Sequence, residues 1–133
     1  MYKLHNDNEI EINGKRTVFP SSIGTNTFKT PYALEINDLI IVLFRPFNQA
    51  EWDQVDALGT DMNRNIWAFN QAGDLVWQVA PCMPGHEGLF VYDGVFFQDG
   101  RLLCGNAGMG RDYELNPVDG SVKRYPDHPV RSW

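Results

Sequence analysis

Short apolar runs separated by turn-forming residues constrain the fold of this chain more than any other feature of its sequence. Glu9–Ile12 alternates polar and apolar residues, Asn13-Gly14 follows, and Lys15–Val18 resumes the pattern. This arrangement predicts a β-hairpin with a two-residue turn, because both positions of such a turn need positive φ. The turn sets the register of three cross-strand pairs: Ile12 with Lys15, Glu11 with Arg16 and Ile10 with Thr17. The second pair carries opposite charges, so we expect it to attract.

Further runs of the same kind predict an antiparallel chain. Leu39–Phe44 is apolar on both faces and too short for a buried helix, which predicts a central strand. Asn65–Phe69 and Leu75–Val79 flank a loop that contains Gly73, which predicts a second hairpin. Later runs between turns predict the remaining strands: residues 95–98, 101–105, 112–116 and 121–125. The predicted fold class is all-β, an antiparallel meander that forms a small open sheet or sandwich.

One short α-helix interrupts the predicted strands near residues 49–58. Asn48 is a favourable N-cap, and Glu51 stands three residues later, as in a capping box. Gly59 follows at the position where a helix would end. We therefore expect a helix of about three turns in a connection between two strands.

The strands fall into two similar units, each made of a strand, a connection and a hairpin. Three pairs of segments match in pattern: residues 38–42 with 100–104, 67–70 with 113–116, and 75–78 with 122–125. The connection covers residues 45–64 in the first unit but only residues 106–110 in the second. The long connection, residues 45–64, is called the insertion below, and it contains the predicted helix.

The repeated unit resembles a blade of the quinoprotein-type β-propellers. Trp67–Trp77 contains, in order, an aromatic residue, Asn, a Gly turn and a hydrophobic strand ending in Trp, and Tyr113–Tyr125 carries part of the same pattern. The resemblance implies blade-like hairpins and says little about function, since such hairpins serve enzymes and scaffolds alike. A propeller needs at least four blades of about forty residues. The chain has 133 residues, so we expect an open sheet or sandwich and no closed ring.

A second resemblance concerns the hairpin Asn65–Gln78, which reads Asn-Ile-Trp-Ala-Phe-Asn-x-x-Gly-x-Leu-Val-Trp-Gln. It is similar to a stretch found in small bacterial immunity proteins of the contact-dependent inhibition and polymorphic toxin systems. The chain also shares with them its length, acidity and β-rich pattern. This resemblance implies neutralisation of a cognate toxin in the cytoplasm by direct binding. It implies nothing about which residues face the toxin.

Acidic residues are concentrated in the middle of the chain. The sequence has 17 acidic and 11 basic residues, a net charge of −6 and a pI near 4.9. This balance disfavours duplex nucleic acid and anionic membranes as partners and favours a basic one. Residues 31–100 hold ten acids and two bases, which gives this part −8, and residues 47–62 contain no Lys or Arg. An alternative interpretation is a solvated loop that serves solubility.

The charge pattern and the resemblance lead to one functional hypothesis, a non-enzymatic immunity protein that binds and neutralises a cognate toxin. We expect a nuclease or RNase toxin, because acidic side chains would replace substrate phosphates in its basic cleft. The predicted partner-binding residues lie in the insertion: Glu51, Trp52, Asp53, Asp56 and Asp61. Trp52 would supply an apolar anchor. No cofactor or metal is expected, and dimerisation through exposed edge strands stays open.

The length of the chain favours a single domain, residues 1–133, and its lack of a recognisable targeting segment favours the cytoplasm. A chain of this length buries a core without needing disulfides or a structural metal. The first seven residues lack the apolar stretch of a secretory signal, and the longest aliphatic run is too short to span a membrane. We therefore expect a cytoplasmic protein in which Cys82 and Cys104 are free thiols.

Two other classes of function stay open. A small-molecule or carbohydrate-binding domain would use exposed aromatic rings, although Trp67 and Trp77 lie on predicted strands and are expected in the core. A hydrolase would be built around Cys82 and His86, which lie in a Pro- and Gly-containing loop without a spaced second pair of ligands. His5 lies near the N-terminus, where we expect it to be exposed.

A calcium site is a weaker interpretation. Asp61, Asn63 and Asn65 copy the opening of a calcium-binding loop. However, Ile66 replaces the glycine that such a loop requires, and Ala72 stands where the bidentate glutamate would be. We therefore expect no calcium ligands in this run.

Overall fold

The structure is a computed structural model, and it describes residues 2–23, 33–81, 91–98, 100–106 and 111–124. The elements in these residues, in chain order, are β1 (Tyr2–Asn6), β2 (Glu9–Ile12), β3 (Lys15–Val18), β4 (Ala33–Ile36), β5 (Leu39–Leu43), α1 (Gln49–Leu58), β6 (Ile66–Phe69), β7 (Leu75–Gln78), β8 (Gly94–Gln98), β9 (Arg101–Asn106), β10 (Arg111–Leu115) and β11 (Val122–Arg124). A single 3₁₀ turn, Met62–Arg64, follows α1.

The strands form three small antiparallel sheets, each a meander of consecutive strands. The N-terminal sheet has the order β1-β2-β3, the central sheet β4-β5-β6-β7 and the C-terminal sheet β8-β9-β10-β11. The predicted all-β class and the predicted helix over residues 49–58 are both confirmed. The sequence patterns predict neither β1 nor β4. Both are short edge strands of their sheets, whose backbone is paired on one side by β2 or β5.

The central sheet is buried on both faces, so the three sheets pack as a stack. Ile40 and Val42 of β5 face one side, whereas Ile41 and Leu43 face the other. The first core joins the central sheet to the N-terminal sheet and the insertion: Ile10, Ile12, Phe19, Ile23, Ile40, Val42, Phe44, Val55, Met62 and Phe69. The second core joins it to the C-terminal sheet: Ile41, Leu43, Ile66, Ala68, Trp77, Val79, Tyr92, Val95, Leu102, Cys104, Tyr113 and Leu115. The apolar run of β5 therefore lies at the centre of the molecule.

The first hairpin has the predicted turn and the predicted register. Asn13 and Gly14 have φ of 50° and 81°, and all three predicted cross-strand pairs form. The charge pairing differs, because Arg16 Nε contacts Glu9 Oε2 at 2.6 Å while Glu11 Oε1 lies 2.5 Å from His5 Nε2. Diagonal neighbours on one face of a sheet are within reach of long side chains, and Arg16 reaches one of them.

His5 is correspondingly more buried than expected for a residue near the N-terminus, with a side chain only 20% exposed. It lies where the pairing of β1 with β2 is irregular, between Leu4 and Asn6. The contact with His5 holds the pKa of the Glu11 carboxyl below its ordinary value. The outer face of the N-terminal sheet is thus polar, as expected for the end of a stack.

The two predicted repeat units are the central and C-terminal sheets, and each gains one strand at its start. The predicted alignment needs one correction in the last strand. The pairing of β6 with β7 is irregular, so that Ala68 pairs with Trp77 and Phe69 with Leu75. In the C-terminal sheet Glu114 pairs with Lys123 without such a shift. By position on the sheet, Trp77 therefore corresponds to Lys123, whereas the sequence alignment matches it with Arg124.

The sheets contact one another at glycine turns. A methyl group built on Gly120 would lie 2.6 Å from Trp77 Cε3, and the Trp77 Nε1–H donates to the Pro117 carbonyl at 2.9 Å. A methyl group on Gly73 would lie 2.9 Å from the Ile12 carbonyl oxygen and 3.0 Å from Lys15 Cβ. The last strand of each of the first two sheets therefore covers the glycine turn of the next sheet.

Candidate functional site

The insertion forms a capped helix on the edge of the first core. The Asn48 side chain accepts a hydrogen bond from the Glu51 N–H at 2.9 Å, as predicted for an N-cap. Gly59 ends the helix with φ of 68°, and its N–H donates to the Asp56 carbonyl at 3.1 Å. Local sequence alone accounts for both ends of α1.

Tertiary contacts hold the inner side of this helix. Val55 is fully buried in the first core, and Trp52 is partly buried against it. The Glu51 carboxylate accepts hydrogen bonds from the Ser22 N–H at 2.8 Å and from the Ser22 hydroxyl at 3.0 Å. Glu51 therefore binds a neighbouring loop instead of completing the predicted capping box, and its carboxylate is used inside the protein.

The outer side of the insertion exposes the other predicted acids. Asp53, Asp56 and Asp61 are all exposed. Asp53 Oδ1 accepts from Gln49 Nε2 at 2.8 Å, and Asp61 Oδ1 accepts from the Asn63 N–H at 3.1 Å. These bonds orient two of the carboxylates while leaving them open to solvent. Since residues 46–63 contain no Lys or Arg, nothing within this segment neutralises them.

Two exposed apolar side chains belong to the same segment as these acids, and the sequence analysis did not select them. Phe47, just before the helix, is 54% exposed, and Leu58, its last residue, is 63% exposed. The sequence signal for them was a large apolar residue at each end of the predicted helix. The insertion surface is defined here by five exposed residues: Phe47, Asp53, Asp56, Leu58 and Asp61.

The base of the insertion is held firmly. The Arg64 guanidinium donates to the Val79 and Gln78 carbonyls at 2.9 and 3.0 Å. The Asn65 amide donates to the Phe44 carbonyl at 2.9 Å and to the Tyr92 carbonyl at 2.8 Å, and it accepts from the Tyr92 N–H at 3.0 Å. A rigid base of this kind presents the surface in one geometry.

The calcium-like run is divided between the surface and the interior of the protein. Asp61 is exposed, whereas Asn65 is buried and bonded to the main-chain carbonyls of Phe44 and Tyr92. A calcium loop instead directs its oxygens toward one point. Among the described residues, no group of three or more His, Cys, Asp and Glu side chains could hold a metal ion.

The comparisons with known proteins concern nearly the whole chain. A family model that describes a domain of unknown function, DUF7957, matches residues 1–126. The chain belongs to the DUF7957 family. No curated protein and no solved structure matches it. The insertion surface therefore lies within the matched part of this DUF7957 chain.

Two tryptophans of this DUF7957 protein pack in its cores. Trp77 is buried, and Trp67 is partly buried with its ring 5.3 Å from Phe19 and 4.9 Å from Phe44. Both positions agree with the predicted core location. They leave neither ring as a flat, exposed platform for a sugar.

Other predicted features fall partly outside the described residues. Cys104 is a buried thiol of the second core. The predicted hydrolase residues Cys82 and His86 lie outside the described part of the chain. No helix in the described part is long and apolar enough to cross a membrane.

A shallow groove lies at the opposite end of the molecule from the second core. It measures about 580 Å³ and borders the first hairpin turn. Most of the residues that line it are of polar type: Tyr2, Lys3, Glu11, Asn13, Gly14 and Gln71. This groove and the insertion surface are separate regions.

Proposed function

We propose that this DUF7957 protein is a non-enzymatic binding protein whose insertion surface docks a basic protein partner. The observation that carries the proposal is the combination of three exposed carboxylates and two exposed apolar side chains in a segment without Lys or Arg. Carboxylates steer a basic partner toward the surface, and apolar side chains supply contact area once it arrives.

The proposed partner is a cognate bacterial toxin of the nuclease or RNase type, and the proposed location of the complex is the cytoplasm. The similarity of the hairpin Asn65–Gln78 to immunity proteins supports this choice. A nuclease cleft is basic because it binds phosphates. Asp53, Asp56 and Asp61 would occupy the phosphate positions and block the cleft.

The predicted residues divide between two roles in this proposal. Glu51 and Trp52 position the helix, since one binds Ser22 and the other packs on the first core. Asp53, Asp56 and Asp61 contact the partner. Phe47 and Leu58 act as the apolar anchors, the role that the sequence analysis assigned to Trp52.

The decisive experiment compares two charge-reversal variants in pull-downs from the native host. Asp53→Lys with Asp56→Lys reverses charge on the insertion surface, and Asp7→Lys with Glu35→Lys makes the same net change at exposed positions elsewhere. We expect the first pair to reduce recovery of the partner on the order of tenfold or more at low salt, since attraction becomes repulsion. The control pair should retain most of the partner.

Salt and apolar variants sharpen this test. High salt should weaken the wild-type complex, because Coulomb steering is screened beyond about 8–10 Å. Phe47→Ala with Leu58→Ala should weaken the complex at both low and high salt. Equal losses for both charge-reversal pairs, or a partner indifferent to all of these changes, would contradict the proposed surface.

A second candidate function is binding of a small polar molecule or carbohydrate. The 580 Å³ groove favours it, because its lining offers one aromatic ring and several hydrogen-bonding side chains. Titration of the isolated protein with a panel of sugars should shift the amide signals of Asn13 and Gln71 if this function holds. Unchanged signals across the panel would remove it.

A further inference from the structure

The first hairpin turn is unusually open to reaction with solvent. Asn13 and Gly14 are both exposed, and a methyl group built on Gly14 would meet no described atom within 4 Å. The Gly14 N–H and the Asn13 side chain make no hydrogen bond to any described residue. The polar groove beside the turn gives water direct access. The chain contains no other Asn-Gly pair.

We infer that Asn13 is a site of spontaneous covalent modification through a cyclic imide. The main-chain nitrogen of Gly14 loses its proton to hydroxide and attacks the Asn13 side-chain carbonyl carbon. A carbon–nitrogen bond forms, and the former amide nitrogen leaves as ammonia. Water then adds to either carbonyl of the five-membered ring and opens it. The products are aspartate or isoaspartate at position 13, with –OH in place of –NH₂ and no oxidation.

Glycine at position 14 is what makes the ring accessible. It has no side chain to obstruct the attack, and its main chain adopts a wide range of conformations. The open space around its Cα leaves room for the ring. The nitrogen that attacks is free of hydrogen bonds to the described residues, so no contact has to break first.

The turn Asp119-Gly120 shows the opposite arrangement in the same molecule. An Asp-Gly pair forms the same ring by losing water, but here the Gly120 N–H donates to the Asn116 carbonyl at 2.8 Å. Asp119 Oδ1 accepts from the Ser121 N–H and hydroxyl at 2.9 and 2.7 Å. Trp77 covers the glycine. The attacking nitrogen and the carboxyl group are both held in hydrogen bonds, and Trp77 leaves no room for the ring. We therefore expect modification at the first turn and not at this one.

Isoaspartate at position 13 would disturb the contact between the N-terminal and central sheets. It routes the main chain through the side-chain carbon and adds an atom to a two-residue turn. The residues that flank this turn, Ile12 and Lys15, lie 2.9 and 3.0 Å from a methyl position on Gly73. Any shift of the turn is therefore transmitted to Gly73. The modified protein should unfold at lower denaturant concentration than the unmodified protein.

The test uses the full chain, aged at mildly alkaline pH and analysed by peptide mapping and an isoaspartyl methylation assay. We expect isoaspartate at position 13 and little at Asn37, although Asn37 and Asp38 form a turn with similar φ of 50° and 64°. Gly14→Asp copies that second turn and should lower the rate at position 13 severalfold. Asp38→Gly should create a second modified position at Asn37.

Circular dichroism before ageing checks that both variants fold. A parallel sample of the wild-type chain in guanidinium gives the rate for an unprotected Asn-Gly pair. If Asn13 stays intact in the folded chain but reacts in guanidinium, the turn is protective and the inference is overturned. The same conclusion follows if Gly14→Asp ages at the wild-type rate. The inference is supported if isoaspartate forms only at position 13 in the wild-type chain and both variants behave as stated.

Discussion

The central and C-terminal sheets are built on one plan but differ in what connects their second and third strands. Both turns after the third strand begin with an Asn whose side chain accepts from the main chain, Asn70 or Asn116, and both contain a glycine with positive φ. The connection before that strand is a capped helix in the central sheet and a short link in the C-terminal sheet. The shared strands supply the scaffold, and the connection supplies the difference.

This difference shows where new function is most easily added. A loop between two paired strands tolerates a long insertion, because the strands keep their hydrogen bonds and the added chain lies on the surface. Here the added chain carries four acids and no Lys or Arg between residues 46 and 63. The repeat itself carries no comparable charge pattern, so the proposed binding function belongs to the insertion, and the sheets form the scaffold that holds it.

The largest expected effect comes from Asn65, which joins the central sheet to the segment that leads into β8. Asn65→Ala removes three hydrogen bonds to main-chain groups of Phe44 and Tyr92, all of them buried. We expect a loss of about 3–5 kcal/mol in the free energy of unfolding, since each unsatisfied buried group costs about 1–3 kcal/mol. Chemical denaturation followed by tryptophan fluorescence measures the loss.

A control for this variant is Asn116, in the exposed turn after β10. Asn116→Ala removes a hydrogen bond from the Val118 N–H in an exposed turn, where water replaces the lost partner. We expect a loss of about 0.5–1 kcal/mol. Equal losses for the two variants would mean that Asn65 has no special part in joining the sheets.

The next effect concerns the glycine turn of the C-terminal sheet. Gly120→Ala places a methyl group 2.6 Å from Trp77 at a residue with φ of 77°, so both overlap and backbone strain oppose it. We expect a loss of about 3 kcal/mol, the sum of typical overpacking and left-handed backbone costs. Gly100→Ala has similar φ, 73°, in open space and should cost only about 1–2 kcal/mol. Thermal unfolding of both variants separates overlap from strain.

The smallest expected effect concerns the pKa of one carboxyl group near each glycine turn, Asp74 in the central sheet and Asp119 in the C-terminal sheet. Hydrogen bonding and charge attraction from Lys15, at 2.7 Å, lower the pKa of Asp74 from its ordinary 3.8. Hydrogen bonds from the Ser121 hydroxyl and N–H lower the pKa of Asp119 from the same value. A carboxyl group whose pKa is lower in the folded state stabilises the fold at pH values above its unfolded pKa. This contribution is lost as the pH falls through its folded pKa.

Salt separates these two causes. We expect added salt to raise the pKa of Asp74 toward 3.8, because an exposed ion pair is screened. The pKa of Asp119 should move less, since its partner is neutral. Carbon-detected NMR titration of the two carboxyl groups at low and high salt measures both. Equal shifts would contradict the assignment of the Asp74 effect to Lys15.

Much of the local structure follows from the sequence, because short-range rules govern it. Asn13-Gly14 predicts a turn whose positive φ only a few residues tolerate, and that turn then sets the register of β2 and β3. Asn48 and Gly59 likewise predict both ends of α1. The candidate site was predicted in part, since the exposed acids of the insertion were selected but Phe47 and Leu58 were not.

The missed elements depend on side-chain contacts and strand pairing that residue patterns do not show. The position of Glu51 predicts one half of a capping box, but its side chain binds Ser22, which lies 29 positions earlier. The irregular pairing between β6 and β7 shifts Trp77 by one position in the repeat alignment, and residue patterns do not reveal such a shift. Arg16 contacts Glu9 rather than its directly opposite neighbour.

By itself, the sequence determined the all-β class, the main hairpins, the helix and the concentration of acids in the insertion. These depend on residue spacing, on backbone preferences at turns and on charge, which are local properties. Only the tertiary structure decided that the strands form three stacked sheets, that β5 is buried on both faces and that Glu51 faces inward. Packing between distant segments controls these features, because burial is shared by surfaces that are far apart in the chain.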